Sequence, residues 1–428
     1  MLAFLSNRAT AAHLALGAVA PLVLCKYFGA GAVLAALLWI SLVAAVWAFM
    51  APAKGEEERS SEARRRFFED ALGDPFFWVA LLLIGYAALV ALNGGVALEY
   101  DLEQSVWRLI TPTLPRLPGG VTGAGGLHFA SAVIVLVIYP AVAYALDARQ
   151  SVCFALFAVT IVTVDAVFAH ASGVGISGER AAAYGLWSLV AASVLFSAER
   201  TCSRPKELIA SIMLAGCLAA LLFSGRPALA FIFVSALVLM TLLFVVFAFP
   251  GLRFQGAVRA IVLISVSGFI AAMLYKWRVG DWMALIPNWS TAADGTMTRL
   301  ATEAWESAPW VGVGLGGFPL AAKLGASPED WAVIGAIPDF YANGWRALLV
   351  ERGMIGVLAV AVSVGTIGFA WLCRARRRGR EFFTAPLLLF PLALAAVAVG
   401  MVFDGSTLQA DAFVAFASLA ALSVNGGI

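Results

Sequence analysis

Charged residues are scarce in this chain of 428 amino acids. Only 13% of the residues are charged, whereas 62% are hydrophobic, and the mean hydropathy is +0.92. Soluble globular domains carry about 25% charged residues, so this scarcity excludes a water-soluble fold. The formal net charge is only +2, which leaves no basic surface for DNA or RNA. We therefore predict an integral membrane protein without a nucleic-acid partner.

Residues that bind metals or form disulfides are also few. The chain has five cysteines and three histidines, and none of them falls in a C-x-x-C or similar metal-binding spacing. The cysteines do not form the regular pattern of a disulfide-stapled domain. We expect neither a metal centre nor a disulfide framework.

Long apolar runs dominate the sequence instead. Each has about 17 to 24 residues, the length that crosses roughly 30 Å of hydrocarbon. They lie at 9–27, 31–50, 76–93, 128–146, 151–172, 182–198, 207–223, 228–249, 260–276, 347–372, 383–403 and 410–427. Runs of this length without two-residue alternation predict helices rather than barrel strands. The predicted fold is all-α and polytopic, with about twelve transmembrane helices.

The distribution of Lys and Arg predicts the orientation. With both termini in the cytoplasm, 17 of the 28 Lys and Arg residues lie on the inner side. Two long connections then lie on the outer, periplasmic side. The first, 94–127, predicts an interfacial amphipathic segment followed by a flexible loop. The second and larger is 277–346.

The large outer loop is rich in tryptophan. Its seven tryptophans are Trp277, Trp282, Trp289, Trp305, Trp310, Trp331 and Trp345. Tryptophan favours the membrane interface, so an anchoring aromatic belt explains this enrichment. Sugar rings also stack on indole faces, and a saccharide site would require the same residue type. Composition alone leaves both interpretations open.

Glycines in the same loop match a nucleotide-binding spacing. In APWVGVGLGGFP, Gly312, Gly314 and Gly317 satisfy G-x-G-x-x-G. That fingerprint requires a preceding buried strand and a following helix, and neither is predicted in this loop. We exclude a dinucleotide cofactor and expect no cofactor at all. The glycines, including Gly316, predict positive φ angles and close backbone approach.

Two arginines stand out on the outer side. Arg226 lies in FSGRPALAF, where two spans are joined by almost nothing but Ser224–Pro227. It is either a snorkelling side chain at a helix end or part of an anion site beside the helix that Pro227 begins. Arg299 lies in MTRLATEAWESAPW, which predicts a short amphipathic helix. Arg299 and Glu303 are spaced to pair with each other.

The stretch IPDFYANGWRALLVERGMIG predicts a helix that opens at Pro338. Asp339, Asn343 and Arg346 would then share one face, at positions i, i+4 and i+7. Alternatively, Asn343 is the N-cap of a helix that begins later.

The order of these segments is informative. FSGRPALAF is followed by R-x-x-x-x-x-W (Arg299 to Trp305), PWVGVGLGGF and ANGWRALLVERGMIG. This order resembles the O-antigen ligase and O-antigen polymerase superfamily of bacterial inner-membrane enzymes. The resemblance covers about 207–428, which we predict to be an O-antigen ligase-like transmembrane domain with its periplasmic loop. Residues 1–206 match only as apolar N-terminal transmembrane helices.

The resemblance implies a function and a location. It implies a metal-independent, C-type glycosyltransferase that takes a glycan from an undecaprenyl diphosphate carrier at the periplasmic face of the inner membrane. An acceptor glycan or lipid would receive the sugar, within the membrane lipids. The diphosphate would be held by Arg226 and Arg299, since guanidinium groups suit diphosphate oxygens. Glycan contacts are expected from Trp305, Tyr341, Trp345 and Arg346.

One position departs from the family pattern. Where the family has a histidine thought to deprotonate the acceptor, this chain has Ala342, and a methyl group cannot act as a base. We predict Asp339 as the base, with Asn343 orienting the acceptor hydroxyl. His170 and His128, at outer ends of predicted spans, are alternative bases. Tyr341 titrates too high to serve unless it is perturbed.

Three functions remain from the sequence. A polysaccharide polymerase, for exopolysaccharide or O-antigen, is slightly favoured over a ligase. A transporter or flippase for lipid-linked saccharide is the alternative from another class, although its expected midspan charges are limited to Asp165, with Glu199 nearer a helix end. Ala342 also agrees with a non-catalytic glycan-assembly protein.

Overall fold

The fold is described by a computed structural model. Its described segments are 11–23, 97–101, 106–110, 133–146, 148–201, 204–248, 254–280, 294–307, 325–330, 343–378, 385–404 and 410–425, together with single residues between them. Every structural statement below concerns these residues.

The described chain is helical apart from one two-stranded hairpin. In order, it contains α1 (Ala11–Val23), β1 (Ala97–Asp101), β2 (Val106–Ile110), α2 (Val133–Tyr144), α3 (Ala148–Ala171), α4 (Ala181–Thr201), α5 (Arg204–Phe223), α6 (Pro227–Ala248), α7 (Phe254–Val279), α8 (Asp294–Ser307), α9 (Gly344–Arg378), α10 (Ala385–Phe403) and α11 (Ala410–Asn425). A π-helical segment, Ala141–Ala145, ends α2, and a 3-10 turn, Gly178–Arg180, precedes α4. The predicted all-α class is confirmed at this level.

Five described helices are long and apolar enough to cross a membrane: Arg149–Ala171, Pro205–Phe223, Pro227–Val245, Val258–Val279 and Gly344–Cys373. Five more helices, α1, α2, α4, α10 and α11, contain shorter apolar stretches of 10–17 residues. The predicted spans 31–50 and 76–93 lie outside the described residues, apart from Trp78 and Leu81. A membrane protein is therefore confirmed, whereas the number twelve and the periplasmic side of the loop stay predictions.

Helix α4 is the central helix of the bundle. It packs against α3, α5, α6, α7, α10 and α11, and its residues 181–196 are all buried. Gly185 lets α6 come close, because a Cβ atom there would lie 2.3 Å from the ring of Phe233. Gly216 of α5 faces the Thr163 side chain of α3 at the same distance. Small residues at such crossings allow the close van der Waals contact that holds membrane helices together.

The outer helices leave apolar surface uncovered. Only 28% of the apolar window of α7 and 11% of that of α9 is buried within the chain. Large side chains such as Phe269, Leu358 and Phe369 are exposed on them. Such faces suit contact with lipid tails, which are as apolar as the side chains themselves.

The first outer connection contains two short strands. Within 94–127, where we predicted an interfacial amphipathic segment followed by a flexible loop, Ala97–Asp101 and Val106–Ile110 pair in antiparallel orientation. Their register sets Glu99 opposite Arg108 and Tyr100 opposite Trp107.

The second outer connection contains the predicted short helix, α8. Its buried face carries Met297, Leu300, Ala301 and Ala304, at the i, i+3, i+4, i+7 spacing of an amphipathic helix. This helix contacts both β2 and α9. The two outer connections therefore meet, and Arg299 projects from the polar side of α8.

Candidate functional site

The site begins at the tight corner between α5 and α6. Ser224 Oγ donates a hydrogen bond to the Leu221 carbonyl at 2.6 Å, and Gly225 has a φ angle of 71°. A left-handed residue followed by Pro227 ends one helix and starts the next within four residues. The corner fixes Arg226 at the end of the bundle.

Arg226 has an acidic partner that we did not predict. Its Nη1 lies 3.4 Å from Asp404 Oδ2, just beyond the end of α10, and the Asp404 side chain is only 6% exposed. On its other side, a Cβ atom on Gly178 would lie 3.0 Å from Arg226 Nε. Arg226 is thus held between Asp404 and the 178–180 turn and does not snorkel freely at a helix end.

Arg299 forms ion pairs with two carboxylates. Its Nη1 donates to Glu303 Oε1 at 2.9 Å, as the sequence spacing allowed, and its Nη2 donates to Asp330 Oδ2 at 2.5 Å. The contact with Asp330 was not predicted from the sequence. The Arg299 side chain nevertheless remains 46% exposed, so it is accessible to a ligand.

Asp330 is itself fixed by a local hydrogen-bond network. Besides Arg299, it accepts hydrogen bonds from Ser327 N and Ser327 Oγ, both at 2.7 Å. The Arg299 hydrogen bond, with help from the Ser327 pair, lowers the pKa of Asp330 from 3.8 to about 2. The same contact with Asp330, more than that with Glu303, raises the pKa of Arg299.

Asp330 predicts a specific pH dependence. A carboxylate with a lowered folded-state pKa stabilises the fold above its unfolded pKa and loses this effect as the pH falls through the folded value. We expect Asp330→Asn to unfold at a lower temperature than wild type at pH 5 to 7. This difference should close only between about pH 4 and pH 2, because those are the two pKa values involved.

Thermal unfolding of the purified chain between pH 7 and 2 measures this effect. Glu329→Gln is the control, since it removes the neighbouring exposed carboxylate. A difference that already closes between pH 7 and 5 would contradict the low pKa of Asp330.

The start of α9 differs from our first expectation. The helix begins at Gly344 and not at Pro338, and the Asn343 Oδ1 accepts hydrogen bonds from Trp345 N at 3.0 Å and Arg346 N at 3.2 Å. Asn343 is therefore the N-cap, the alternative that the sequence allowed, because a capping amide satisfies amides that have no partner within the helix. The argument that Asp339 and Asn343 share a helical face is wrong.

The first turn of α9 joins the other parts of the site. Arg346 Nη1 donates to Thr298 Oγ1 of α8, next to Arg299. Trp345 Nε1 donates to the Ala398 carbonyl of α10 at 3.1 Å, while the residue stays 44% exposed. Trp345 and Arg346 are thus structural links, and their predicted glycan contacts stay predictions.

These contacts bring the two arginines to one end of the bundle. Asp404, the partner of Arg226, follows Ala398 by six residues, or about 9 Å of helical rise. Ala398 binds Trp345, and the next residue, Arg346, reaches α8. We call this end of the bundle the Arg226 face. It is formed by the 172–180 turn, the Ser224–Arg226 corner, Asp404 and the start of α9.

The backbone of the glycine-rich loop packs closely against the backbone of α9. Gly312 has a φ angle of 73°, and a Cβ atom there would lie 2.4 Å from the backbone of Glu351. α9 is interrupted opposite this point, at Gly353, which has φ 60° and ψ −171°. The predicted positive φ and close approach are confirmed for Gly312. The other three glycines of the motif lie outside the described residues.

Loop carbonyls complete the second half of α9. Met354 N donates to Pro309 O at 2.9 Å, and Ile355 N donates to Trp310 O at 3.2 Å. The interruption at Gly353 deprives these amides of helical partners, and the loop supplies acceptors. The outer loop is therefore locked to the membrane helix by backbone groups, which carry no side-chain signature in the sequence.

No protein-family model and no curated protein matches the chain. The assignment of function therefore depends on the residues themselves. Within the described segments, no three His, Cys, Asp or Glu side chains are grouped to hold a metal ion. The side chains available for binding or catalysis are therefore the arginines, carboxylates and aromatic residues of the Arg226 face.

The predicted bases are only partly described. Asp339, Tyr341, Ala342 and His128 lie outside the described residues. His170 is exposed at the end of α3 and stacks on Phe223, with ring centroids 5.7 Å apart. Since Phe223 directly precedes the Ser224–Arg226 corner, His170 lies on the Arg226 face.

Trp305 is partly buried in the described part of α8. Its indole Nε1 is buried and has no hydrogen-bond partner among the described residues. A buried indole N–H usually finds an acceptor. The donor agrees with the predicted glycan contact, which stays a prediction.

A second polar cluster was largely missed. Arg180 Nη1 lies 2.8 Å from Asp165 Oδ2, and Arg180 Nε lies 2.5 Å from Asp411 Oδ2. Arg180 Nη2 also donates to the Leu22 carbonyl at 2.7 Å. The sequence singled out Asp165 as a midspan charge, but its partner Arg180 lies 15 residues away, and the second partner of Arg180, Asp411, lies 231 residues from Arg180. In the sequence, only the position of Asp165 within a predicted membrane span indicated this cluster.

Proposed function

We propose that the chain transfers or polymerises a glycan from an undecaprenyl diphosphate carrier at its Arg226 face, which would be periplasmic in a bacterial inner membrane. The observation that carries this proposal is the series of contacts from Asp404 through α10 and the start of α9 to α8. It supports a shared site for Arg226 and Arg299. The motif order of residues 207–428 supports the same chemistry.

Arg226 suits the role of a diphosphate ligand. Its Nη1 lies 3.4 Å from Asp404 Oδ2, and its buried Nη2 donates no hydrogen bond within the described part of the chain, so Nη2 is a donor that a ligand could use. Pro227 begins α6 beside it, and the first amides of a helix attract anions. Asp404 would orient the guanidinium toward the diphosphate.

Arg299 is the second ligand in this proposal. Asp330 fixes one side of its guanidinium, while the exposed remainder would meet the departing diphosphate. Catalysis of this type depends on donors placed in advance where negative charge develops. The Asp330 contact supplies such placement, because Asp330 is in turn held by Ser327.

The acceptor hydroxyl needs a base. Asp339 remains our proposed base, although without the helical geometry first expected for it. His170 is the alternative that the described residues favour, because it is exposed beside the Ser224–Arg226 corner. Histidine is also the side chain that most often transfers protons in enzymes.

The second candidate function is a transporter or flippase for lipid-linked saccharide. The buried Asp165–Arg180–Asp411 cluster favours it, since ionisable groups inside a membrane bundle often mark a transport pathway. A non-catalytic glycan-assembly protein is the third candidate, because Ala342 replaces the family histidine.

A reconstitution experiment separates these three functions. The purified protein is reconstituted in proteoliposomes. Lipid-linked saccharide is then added, extracted from bacteria that lack this protein. Transfer predicts release of undecaprenyl diphosphate together with a longer glycan or a glycosylated acceptor. Movement of intact lipid-linked saccharide between leaflets, without release of diphosphate, would assign transport. If neither change is observed, both transfer and transport are contradicted and the assembly role remains.

A further inference from the structure

One side of helix α9 faces away from the rest of the described chain. Its large exposed side chains are Met354, Ile355, Leu358, Val362, Phe369 and Leu372. These positions recur every three or four residues, so they form one apolar stripe along the helix. On the opposite side, Ser363 and Ile367 are buried, and the ring of Trp371 lies 6.4 Å from that of Phe390 in α10. The stripe is therefore the lipid-facing side of α9.

The stripe ends in an exposed arginine. Arg376 follows Leu372 by four residues, so it continues the stripe beyond the apolar stretch that ends at Cys373. From Met354 to Cys373 the helix rises about 30 Å, the thickness of the hydrocarbon core. Arg376 therefore lies on the lipid-facing side at the depth of the lipid headgroups.

Arg376 belongs to a dense run of positive charge. In RARRRGRE, residues 374–381 hold five arginines and one glutamate, which gives a net charge of +4. Because α9 continues to Arg378, four of these arginines lie in its last turns, within about 6 Å of helical rise. Clusters of roughly four to eight basic residues directly beside a membrane helix attract anionic lipids. By the predicted orientation, the adjacent leaflet is the cytoplasmic one.

Charge alone does not identify a lipid, because basic residues at a helix end also set the orientation of a membrane protein. The second observation is that Arg376 and the apolar stripe share one side of the helix. Gly365, between Val362 and Phe369, leaves a notch in the stripe, since no atom lies within 4 Å of the place where a Cβ atom would be. A phospholipid presents acyl chains and phosphate in the order in which this side presents apolar surface and guanidinium. Arginine also binds two phosphate oxygens at once.

We propose that this side of α9 binds one anionic phospholipid of the bilayer, with its phosphate at Arg376 and its acyl chains along Gly365, Phe369 and Leu372. The bound lipid stabilises the end of α9 against unfolding. The site lies at the opposite end of α9 from the Arg226 face. It goes beyond glycan transfer, and its existence does not depend on that activity.

Thermal unfolding of the full chain tests the site. The protein, purified in an uncharged detergent, is titrated with phosphatidylglycerol or with phosphatidylcholine that has the same acyl chains. A ligand that binds only the folded state raises the unfolding temperature with concentration. In wild type, we expect a larger rise with phosphatidylglycerol than with phosphatidylcholine.

Two variants locate the effect. Arg376→Gln should increase the half-saturating concentration of phosphatidylglycerol about fivefold, the typical effect of one basic residue on binding to anionic lipid. Replacing all four arginines in the helix should remove the difference between the two lipids; these changes are Arg374→Gln, Arg376→Gln, Arg377→Gln and Arg378→Gln.

Arg278→Gln is the matched control. Arg278 is also an exposed arginine in the last turn of a spanning helix, α7, so the control removes the same charge from a comparable position. It should keep the wild-type response to phosphatidylglycerol. An equal response of wild type to both lipids would overturn the proposal, as would equal losses in Arg278→Gln and Arg376→Gln. A rise of the same size with inorganic phosphate would assign a free-anion site and would also overturn the lipid site.

Discussion

Glycan transfer should fall at least about a hundredfold when Arg226 is replaced by alanine, the loss typical of removing one charge-stabilising donor. The substitution removes the guanidinium that we propose binds the diphosphate. It also removes the ion pair with Asp404, whose side chain is only 6% exposed. The carboxylate would then add negative charge where the diphosphate must bind.

The measurement is product formed per amount of membrane-inserted protein in the proteoliposome assay. Arg259→Ala is a close control, because Arg259 Nη1 also lies 3.4 Å from a carboxylate, that of Glu207. We expect this control to retain activity. The double variant Arg226→Ala with Asp404→Asn separates charge repulsion from loss of the ligand. Full activity in Arg226→Ala would contradict the diphosphate role.

The second large effect is expected at the interruption of α9. Gly353 combines φ 60° with ψ −171°, a region that is essentially restricted to glycine. A Cβ atom would lie 2.4 Å from the Trp310 carbonyl oxygen, an acceptor for Ile355 N. Gly353→Ala should therefore lose roughly 1–3 kcal/mol to backbone strain and more to overlap with the loop.

Thermal unfolding of the purified variants measures this loss. Gly365→Ala lies in the same helix and has no atom within 4 Å of its new Cβ. This control should be neutral or up to about 1 kcal/mol more stable, because alanine favours helices over glycine. An unfolding temperature for Gly353→Ala equal to that of wild type would contradict the docking of the loop.

Local patterns predicted the helices well. The run 151–172 was found as Arg149–Ala171, and 228–249 as Pro227–Val245. Run length and hydrophobicity are properties of neighbouring residues, so they can be read directly along the chain. The same is true of α8, whose buried residues follow the helical period.

Partners distant in the sequence were not predictable in this way. Asp404 lies 178 residues from Arg226, and Asp411 lies 231 residues from Arg180. No local pattern links such pairs, because the packing of whole helices decides which charges meet. For α9, the sequence allowed two starting points, at the upstream proline or after Asn343. The helix starts after Asn343, because the Asn343 side chain caps two amides.

The interruption at Gly353 also sets a depth for the site. From Met354 to Cys373, α9 rises about 30 Å, which matches the hydrocarbon thickness of a bilayer. The boundary between lipid tails and headgroups would then fall at Gly353. Under the proposed function, residues 344–352 would lie outside it, at the level of a lipid diphosphate. A prenyl tail would descend along the uncovered flank of α9, so the carrier need not leave the bilayer to present its sugar.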